Sequence, residues 1–113
     1  MPDLHPGDVI WVVPDVAVGR EQGGHRPAVV VCGIDYLATI DTLAIVVPIT
    51  SVDRGWPNHI AVAGVALPQE SWAMTEQVRT ISRSRITGTA GRVTDATLAA
   101  IRKWIRDFID ISA

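Results

Sequence analysis

The chain before residue 94 contains several short runs, many of them rich in valine and isoleucine, that are bounded by glycine, proline and aspartate. Runs of this length and composition are typical of β-strands and are too short for helices. We therefore expect strands at residues 8–13, 28–34, 43–49, 58–63, 71–74, 77–82 and 87–93. Pro48 lacks the N–H that a sheet ladder uses, so a bulge or a strand end is expected there.

The last part of the chain has a helical period. Its apolar residues recur every three or four positions and would share one face of a helix over residues 94–110, namely Leu98, Ile101, Ile105 and Phe108. Thr94 is a suitable N-cap, because its hydroxyl can accept a hydrogen bond from a free backbone N–H of the first turn. The whole pattern predicts one domain, residues 1–113, in which a mainly antiparallel β-sheet is covered by a C-terminal helix.

The composition fits such a domain and bears on its location. With 113 residues, 48% of them apolar, and a mean hydropathy of +0.25, the chain is too apolar to be disordered. No apolar stretch approaches the ~20 residues that cross a bilayer. The N-terminal residues also lack the features of a secretory signal, so we expect a cytoplasmic protein.

The charge is slightly negative overall but unevenly distributed. The formal net charge is −2, which gives no general attraction to nucleic acid. Arg79, Arg83, Arg85 and Arg92 nevertheless fall in a stretch without any acidic residue. These arginines can be ordinary solvated charge or a local basic surface, and composition leaves both interpretations open.

The sequence offers no basis for cofactor or metal chemistry. His5, His25 and His59 are isolated, without a second ligand at metal-binding spacing. The nucleophile-elbow, phosphate-loop and dinucleotide motifs are missing, which removes the commonest hydrolase, NTPase and oxidoreductase classes. We therefore expect no cofactor and no metal. The single cysteine, Cys32, cannot close an intramolecular disulfide and is expected in the core.

A glycine-containing segment, residues 19–27, leads into the second predicted strand. It places Arg26 directly before Pro27, whose fixed φ would anchor the arginine at a rigid strand edge. The planar guanidinium could then bind a phosphate through two parallel hydrogen bonds. A flexible surface loop explains the same residues equally well, and chemistry alone does not decide between the two interpretations.

Four blocks of sequence follow one another along the chain: residues 7–11 (Gly-Asp-Val-Ile-Trp), 21–31 (Glu-Gln-Gly-Gly-His-Arg-Pro-Ala-Val-Val-Val), 47–51 (Val-Pro-Ile-Thr-Ser) and 76–81 (Glu-Gln-Val-Arg-Thr-Ile). In order and spacing they resemble the signature blocks of the MazF/PemK toxins. The resemblance extends from Pro6 to Phe108, and the second and fourth blocks are its most specific parts.

The resemblance implies an SH3-like β-barrel related to the gyrase poison CcdB. It also implies a homodimer that cleaves single-stranded RNA in a sequence-selective, ribosome-independent and metal-independent way. Arg26 and Thr50 match the family's catalytic arginine and threonine. Arg26 would stabilise the charge of the transition state, and Thr50 would donate its hydroxyl to a phosphate oxygen. The general base is left unassigned; Glu21 and His25 are the nearest titratable groups along the chain.

The matching blocks also supply the residues expected to bind RNA, which are Glu21, Gln22, His25, Ser51, Gln77, Arg79 and Arg85. The family pattern further implies a cognate, MazE-like antitoxin with an acidic and apolar tail that contacts Arg26, Arg79 and Arg85. Cys32 and Ser82 depart from the family pattern, and both could alter which bases are accepted.

Two alternative functions stay open. One is a CcdB-like toxin that poisons a topoisomerase through the same fold without cutting RNA. The other is a binding-only domain whose catalytic site is inactive.

Overall fold

The computed structural model of the chain describes residues 3–14 and 24–110. Its strands are β1 (Asp8–Val12), β2 (Arg26–Val30), β3 (Leu43–Thr50), β4 (His59–Val62), β5 (Ser71–Met74), β6 (Arg79–Ser82) and β7 (Ile86–Arg92). Its helices are α1 (Ile34–Thr39) and α2 (Asp95–Ile109), and a 3₁₀ turn at Arg83–Arg85 joins β6 to β7. The predicted class, a mainly β domain with a C-terminal helix, is confirmed.

The strands form one antiparallel arrangement in the order β4-β5-β3-β2-β1-β7, with β6 paired to β3. The SH3-like barrel implied by the resemblance is not closed, because no ladder among the described residues joins the edge strands β4 and β7. A single backbone hydrogen bond links the loop after β4 to β7, from Ala66 N–H to the Ala90 carbonyl at 2.8 Å. Gly91 lies next to this bond and packs against Val65; its φ of +113° is a backbone conformation that side-chain-bearing residues rarely adopt, which favours glycine there.

The expected bulge or strand end at Pro48 is wrong. β3 continues to Thr50 and keeps its register with β2, where Pro48 lies opposite Ala28. On its other edge, β3 pairs with β6 up to Val46 and with β5 from Ile49 onward. Pro48 lies between these two ladders, so its missing N–H is tolerated inside a long strand.

Helix α1 was not predicted. The sequence pattern indicated a strand to residue 34, whereas β2 ends at Val30 and α1 begins at Ile34. Six residues are too few to show a helical period. The Arg83 guanidinium stabilises the end of this helix by donating to the carbonyl oxygens of Leu37 at 2.6 Å and Ile40 at 2.9 Å.

Two hydrophobic clusters make up the core. One includes Val9, Val29 and Val47 and is covered by Leu98 and Ile101 of α2. The other includes Ile10, Val30 and Val46, is covered by Leu37 of α1, and contains Cys32 as the predicted buried free thiol. Together they hold β1, β2 and β3 rigid.

Helix α2 begins as predicted, because the Thr94 hydroxyl accepts the Thr97 N–H at 3.1 Å. Its apolar face is only partly packed. Leu98 and Ile101 are buried, but Phe108 remains 52% exposed. In the described part of the chain no helix is long and apolar enough to span a membrane.

Candidate nucleic-acid interface

Arg26 is the first residue of β2 and lines two neighbouring clefts. Its strand is paired on both sides, with β1 and with β3, and Arg26 itself lies opposite Val12. Pro27 follows it and restricts the backbone. The guanidinium is therefore carried by a rigid strand end, while its side chain is exposed.

The first cleft, about 460 Å³ in volume, lies at the ends of β2 and β3. It brings together four of the predicted site residues, which are His25, Arg26, Thr50 and Ser51. Trp11 of β1 and Leu67, Pro68 and Gln69 of the loop before β5 complete its walls. A guanidinium, an imidazole and two hydroxyl groups thus line one open space, which is a donor set suited to a phosphodiester.

The hydroxyl of Thr50 is oriented by the backbone. Its Oγ1 accepts the N–H of Val52 at 3.1 Å, two residues further along the chain. A hydroxyl that accepts one hydrogen bond still has its own hydrogen to donate. Thr50 can therefore donate to an oxygen of a bound group in the first cleft.

His25 is held by Thr87, which lies 62 residues away in sequence on β7. His25 Nδ1 and Thr87 Oγ1 are 2.9 Å apart, and Thr87 Oγ1 donates to the Trp11 carbonyl at 3.4 Å. When the Thr87 hydrogen is used in that bond, Nδ1 of His25 is the donor toward Thr87. The neutral ring then carries its free lone pair on Nε2.

The second cleft, about 590 Å³ in volume, lies on the other side of Arg26. Its apolar lining comes mainly from β1, β2, β3 and β6 and includes Val12, Ala28, Val46, Pro48 and Ile81. Arg79 and Arg85 join Arg26 there, and Arg85 Nε donates to the Val13 carbonyl at 2.8 Å. Two arginines of the basic stretch, Arg79 and Arg85, therefore lie with Arg26 beside an apolar surface in one cleft.

Gln77 lines neither cleft, but it contacts Arg79. Its Oε1 accepts a hydrogen bond from Arg79 Nη2 at 2.8 Å. Glu21 and Gln22 lie outside the described residues.

A polar group that the sequence analysis missed lies beside Gln77. We call it the buried cluster after its two buried members, His59 and Thr75, and define it as these residues together with Asn58 and the more exposed Glu76. His59 Nε2 lies 3.1 and 3.2 Å from the two oxygens of Glu76, and Asn58 Nδ2 donates to Glu76 Oε1 at 2.7 Å. Thr75, which is fully buried, donates to the Asn58 carbonyl at 2.9 Å. The only signal in the sequence is that Glu76 begins the fourth block.

The ionisation of Glu76 reflects these partners. Desolvation by burial would raise its pKa, but a hydrogen bond from its own backbone and those from His59 and Gln77 act in the opposite direction. The net effect lowers the pKa of Glu76 below its ordinary value. The carboxylate is therefore ionised at neutral pH, and it accepts hydrogen bonds without donating any. Across residues 3–14 and 24–110, no group of three or more His, Cys, Asp or Glu side chains could hold a metal ion.

Comparison with known proteins assigns the family. A family model described as the PemK-like, MazF-like toxin of type II toxin-antitoxin systems matches residues 5–109. The chain belongs to this toxin family. The match covers both clefts and the buried cluster.

Named relatives are similar to the toxin over nearly its whole length. The endoribonuclease toxin MazF of Escherichia coli K12 is 34% identical over 110 residues, which is 96% of this chain and 95% of the relative. The endoribonuclease MazF9 of Mycobacterium tuberculosis is 33% identical over 115 residues, 96% of this chain and 98% of the relative. Both names support the RNA-cleaving interpretation, and neither supports the topoisomerase-poisoning one.

Solved structures support the fold. The toxin superimposes on a crystal structure of MazE-MazF from Deinococcus radiodurans with a TM-score of 0.85, covering 99% of this chain and 100% of that one at 23% identity. An endoribonuclease from a mycobacterial species, solved in complex with its cognate antitoxin, gives a TM-score of 0.76 at 18% identity, covering 97% and 98% of the two chains. The described architecture is therefore that of MazF proteins.

Proposed function

We propose that the toxin cuts single-stranded RNA in the first cleft without a metal ion, with Arg26 and Thr50 acting on the scissile phosphate. The toxin is an endoribonuclease of the MazF type, as its family and its named relatives indicate. The observation that carries the assignment of the site is the convergence of Arg26, Thr50 and His25 on one open space at the ends of two paired strands. Cutting RNA in this way inhibits translation and growth, and it is consistent with a cytoplasmic location.

The reaction begins with attack of the 2′-oxygen of one nucleotide on the phosphorus that joins it to the next. A bond forms between the 2′-oxygen and phosphorus, and the bond from phosphorus to the 5′-oxygen breaks. Negative charge accumulates on the phosphoryl oxygens in the transition state, where the Arg26 guanidinium and the Thr50 hydroxyl would donate hydrogen bonds. The products are a 2′,3′-cyclic phosphate and a 5′-hydroxyl, whose proton comes from water.

His25 is the candidate for the general base that the sequence left unassigned. In the tautomer whose Nδ1–H is directed to Thr87, Nε2 is the atom that can accept the proton of the 2′-hydroxyl. His25 lines the first cleft together with Arg26 and Thr50. A base, a charge-stabilising group and a hydroxyl donor are therefore all available from described residues of one chain.

The second cleft is suited to regulation by a cognate antitoxin. Its apolar lining can bind an aliphatic or aromatic side chain, while Arg26, Arg79 and Arg85 can pair with carboxylates. A disordered antitoxin tail that is both acidic and apolar fits these two properties. Because Arg26 lines both clefts, such a tail would compete directly with RNA.

Exposed apolar side chains at the end of α2 support a homodimer. Phe108 and Ile109 at the end of the helix are 52% and 60% exposed, and Val78 next to them is 41% exposed. Large exposed apolar side chains that lie together mark protein contacts. Light scattering at micromolar concentration should give twice the chain mass of 12.2 kDa, and a monomer mass would contradict this.

The decisive test of the function is cleavage of a long single-stranded transcript in the presence of EDTA. Cutting with 5′-hydroxyl ends is the expected outcome. Intact RNA would refute metal-independent cleavage, and a parallel assay of DNA supercoiling with topoisomerase would then test the alternative target. Sequencing of the 5′ ends would identify the bases that the toxin selects.

A further inference from the structure

A continuous chain of hydrogen bonds leads from the protein interior to the second cleft. It begins at His59, whose side chain is 2% exposed and whose Nε2 contacts both oxygens of Glu76. Gln77 Nε2 donates to Glu76 Oε2 at 3.4 Å, and Arg79 Nη2 donates to Gln77 Oε1 at 2.8 Å. Arg79 is exposed and lines the second cleft.

The directions of the bonds in this chain are set from both ends, because the ionised Glu76 only accepts hydrogen bonds and the Arg79 guanidinium only donates them. An ionised carboxylate only accepts hydrogen bonds, so the NH₂ end of the Gln77 amide must face it. The carbonyl end of Gln77 then faces Arg79, which is the orientation that a guanidinium donor requires. If residue 76 could also donate, the Gln77 amide could turn its carbonyl toward residue 76, and Arg79 would then lose the oxygen that now accepts its hydrogen bond.

His59 contributes a second, independent observation. Its Nδ1 is buried and has no hydrogen-bond partner among the described residues. The Trp56 ring packs against the imidazole with a centroid separation of 4.8 Å. A buried ring nitrogen without a partner destabilises the fold, and an apolar residue would pack there without that loss. The polar contacts that a histidine makes at this position are therefore those of Nε2 with the Glu76 carboxylate.

We propose that His59 and Glu76 are positioning residues that act through Gln77 to hold the Arg79 guanidinium toward RNA in the second cleft. An exposed arginine otherwise samples many rotamers, so a fixed orientation reduces the entropy lost on binding. The inference rests on the proposed function and further takes the RNA to extend from the first cleft past Arg26, which lines both clefts, to Arg79 in the second. It adds to that function residues that line neither cleft.

A double-mutant cycle between Glu76 and Arg79 tests the proposal. Glu76→Gln keeps the shape of the side chain but can donate as well as accept. In the otherwise unchanged toxin it should lower kcat/KM for a short RNA about tenfold, the effect of losing one oriented, charge-assisted hydrogen bond. In the Arg79→Ala background the same change should have an effect of less than about twofold, because positions that act through each other are not additive.

Glu70→Gln is the matched control, since Glu70 is an exposed carboxylate that lines neither cleft, and it should leave kcat/KM unchanged. Gln77→Leu breaks the hydrogen-bond chain between Glu76 and Arg79, leaves the contacts of Glu76 with His59 and Asn58 in place, and serves as the second variant if Glu76→Gln folds poorly. It should reproduce the same non-additivity with Arg79→Ala. Equal losses in both backgrounds would overturn the proposal.

Binding of a 2′-O-methyl RNA, which cannot be cut, separates this inference from the proposed function. If the toxin binds this RNA but cuts no substrate, the proposed cleavage is refuted. The double-mutant cycle can then be measured on the Kd for this RNA, and it still tests whether Glu76 acts through Arg79. A readout without RNA is the guanidinium NMR signal of Arg79, whose Nη groups should rotate slowly in the unmodified toxin and freely in Glu76→Gln. Equal rotation in the two proteins would show that Glu76 does not orient Arg79 through these hydrogen bonds, and would overturn the proposal.

Discussion

The first cleft and the buried cluster are both rich in polar side chains, but they use their hydrogen-bonding groups differently. In the buried cluster, Asn58, His59, Thr75 and Glu76 bind mainly one another. In the first cleft, the Arg26 guanidinium has no ion pair or hydrogen bond within the described residues, and it faces open space. Polar groups that satisfy each other stabilise a fold, whereas unsatisfied donors around an open space are available to a ligand.

The comparison predicts that replacing Arg26 affects activity and leaves stability unchanged. Arg26→Ala should lower kcat/KM for RNA by about 10²–10³-fold, the usual loss when one preorganised donor to the transition state is removed. The free energy of unfolding should change by less than about 0.5 kcal/mol because the side chain is exposed. Cleavage assays and urea unfolding measure the two effects. Arg106→Ala, an exposed arginine on α2, is the control.

A variant of Arg26 that cuts RNA normally would remove the first cleft from the reaction. A variant that cuts poorly and also unfolds at a lower urea concentration would show that Arg26, like the buried cluster, contributes to stability.

His25 should give the next largest effect. His25→Gln should lower kcat about 10²-fold, because general-base catalysis contributes about 10²–10⁴-fold. Thr87→Val removes the hydroxyl that orients His25 and should lower kcat less, by about tenfold, through one lost hydrogen bond. Single-turnover kinetics at saturating RNA would separate kcat from binding. Normal turnover in His25→Gln would exclude His25 as the base.

Thr75 should affect stability first. Thr75→Val leaves the Asn58 carbonyl without the hydroxyl that now donates to it, and the free energy of unfolding should fall by about 1–3 kcal/mol. Thr50→Val is the matched substitution in the first cleft and should change stability by less than about 0.5 kcal/mol while it reduces cleavage. Urea unfolding of both variants makes the contrast direct. Equal stability losses would contradict it.

The smallest expected effect is in the pH dependence of stability. The pKa of Glu76 is lowered in the folded state, so the stabilisation from its ionised form is present above the ordinary carboxyl range. It is lost as the pH falls through the lowered pKa. Glu76→Gln should therefore be less stable than the unmodified toxin at neutral pH, and the difference should shrink in acid. Urea unfolding across this range would reveal a constant difference if the carboxylate were not involved.

The sequence predicted the parts of the site that depend on local pattern. Apolar runs predicted strands at 28–34 and 43–49, whereas β2 begins two residues earlier, at Arg26, and β3 continues one residue further, to Thr50. The four blocks singled out both residues as catalytic candidates, and that role stays a prediction. Helix α2 was predicted for the same reason, because its capping residue and its apolar spacing are near neighbours along the chain. Helix α1 was missed because its six residues are too few to show a helical period.

What only the tertiary structure decided is the set of partners that orient these side chains. Thr87 reaches His25 across 62 residues, and Glu76 reaches His59 across 17. No periodicity links such positions, because they meet only when β1 pairs with β7 and β4 with β5. Local pattern determines which residues form strands, whereas strand order determines which of their side chains face one another. The chemistry of His25 and the orientation of Arg79 depend on that second level.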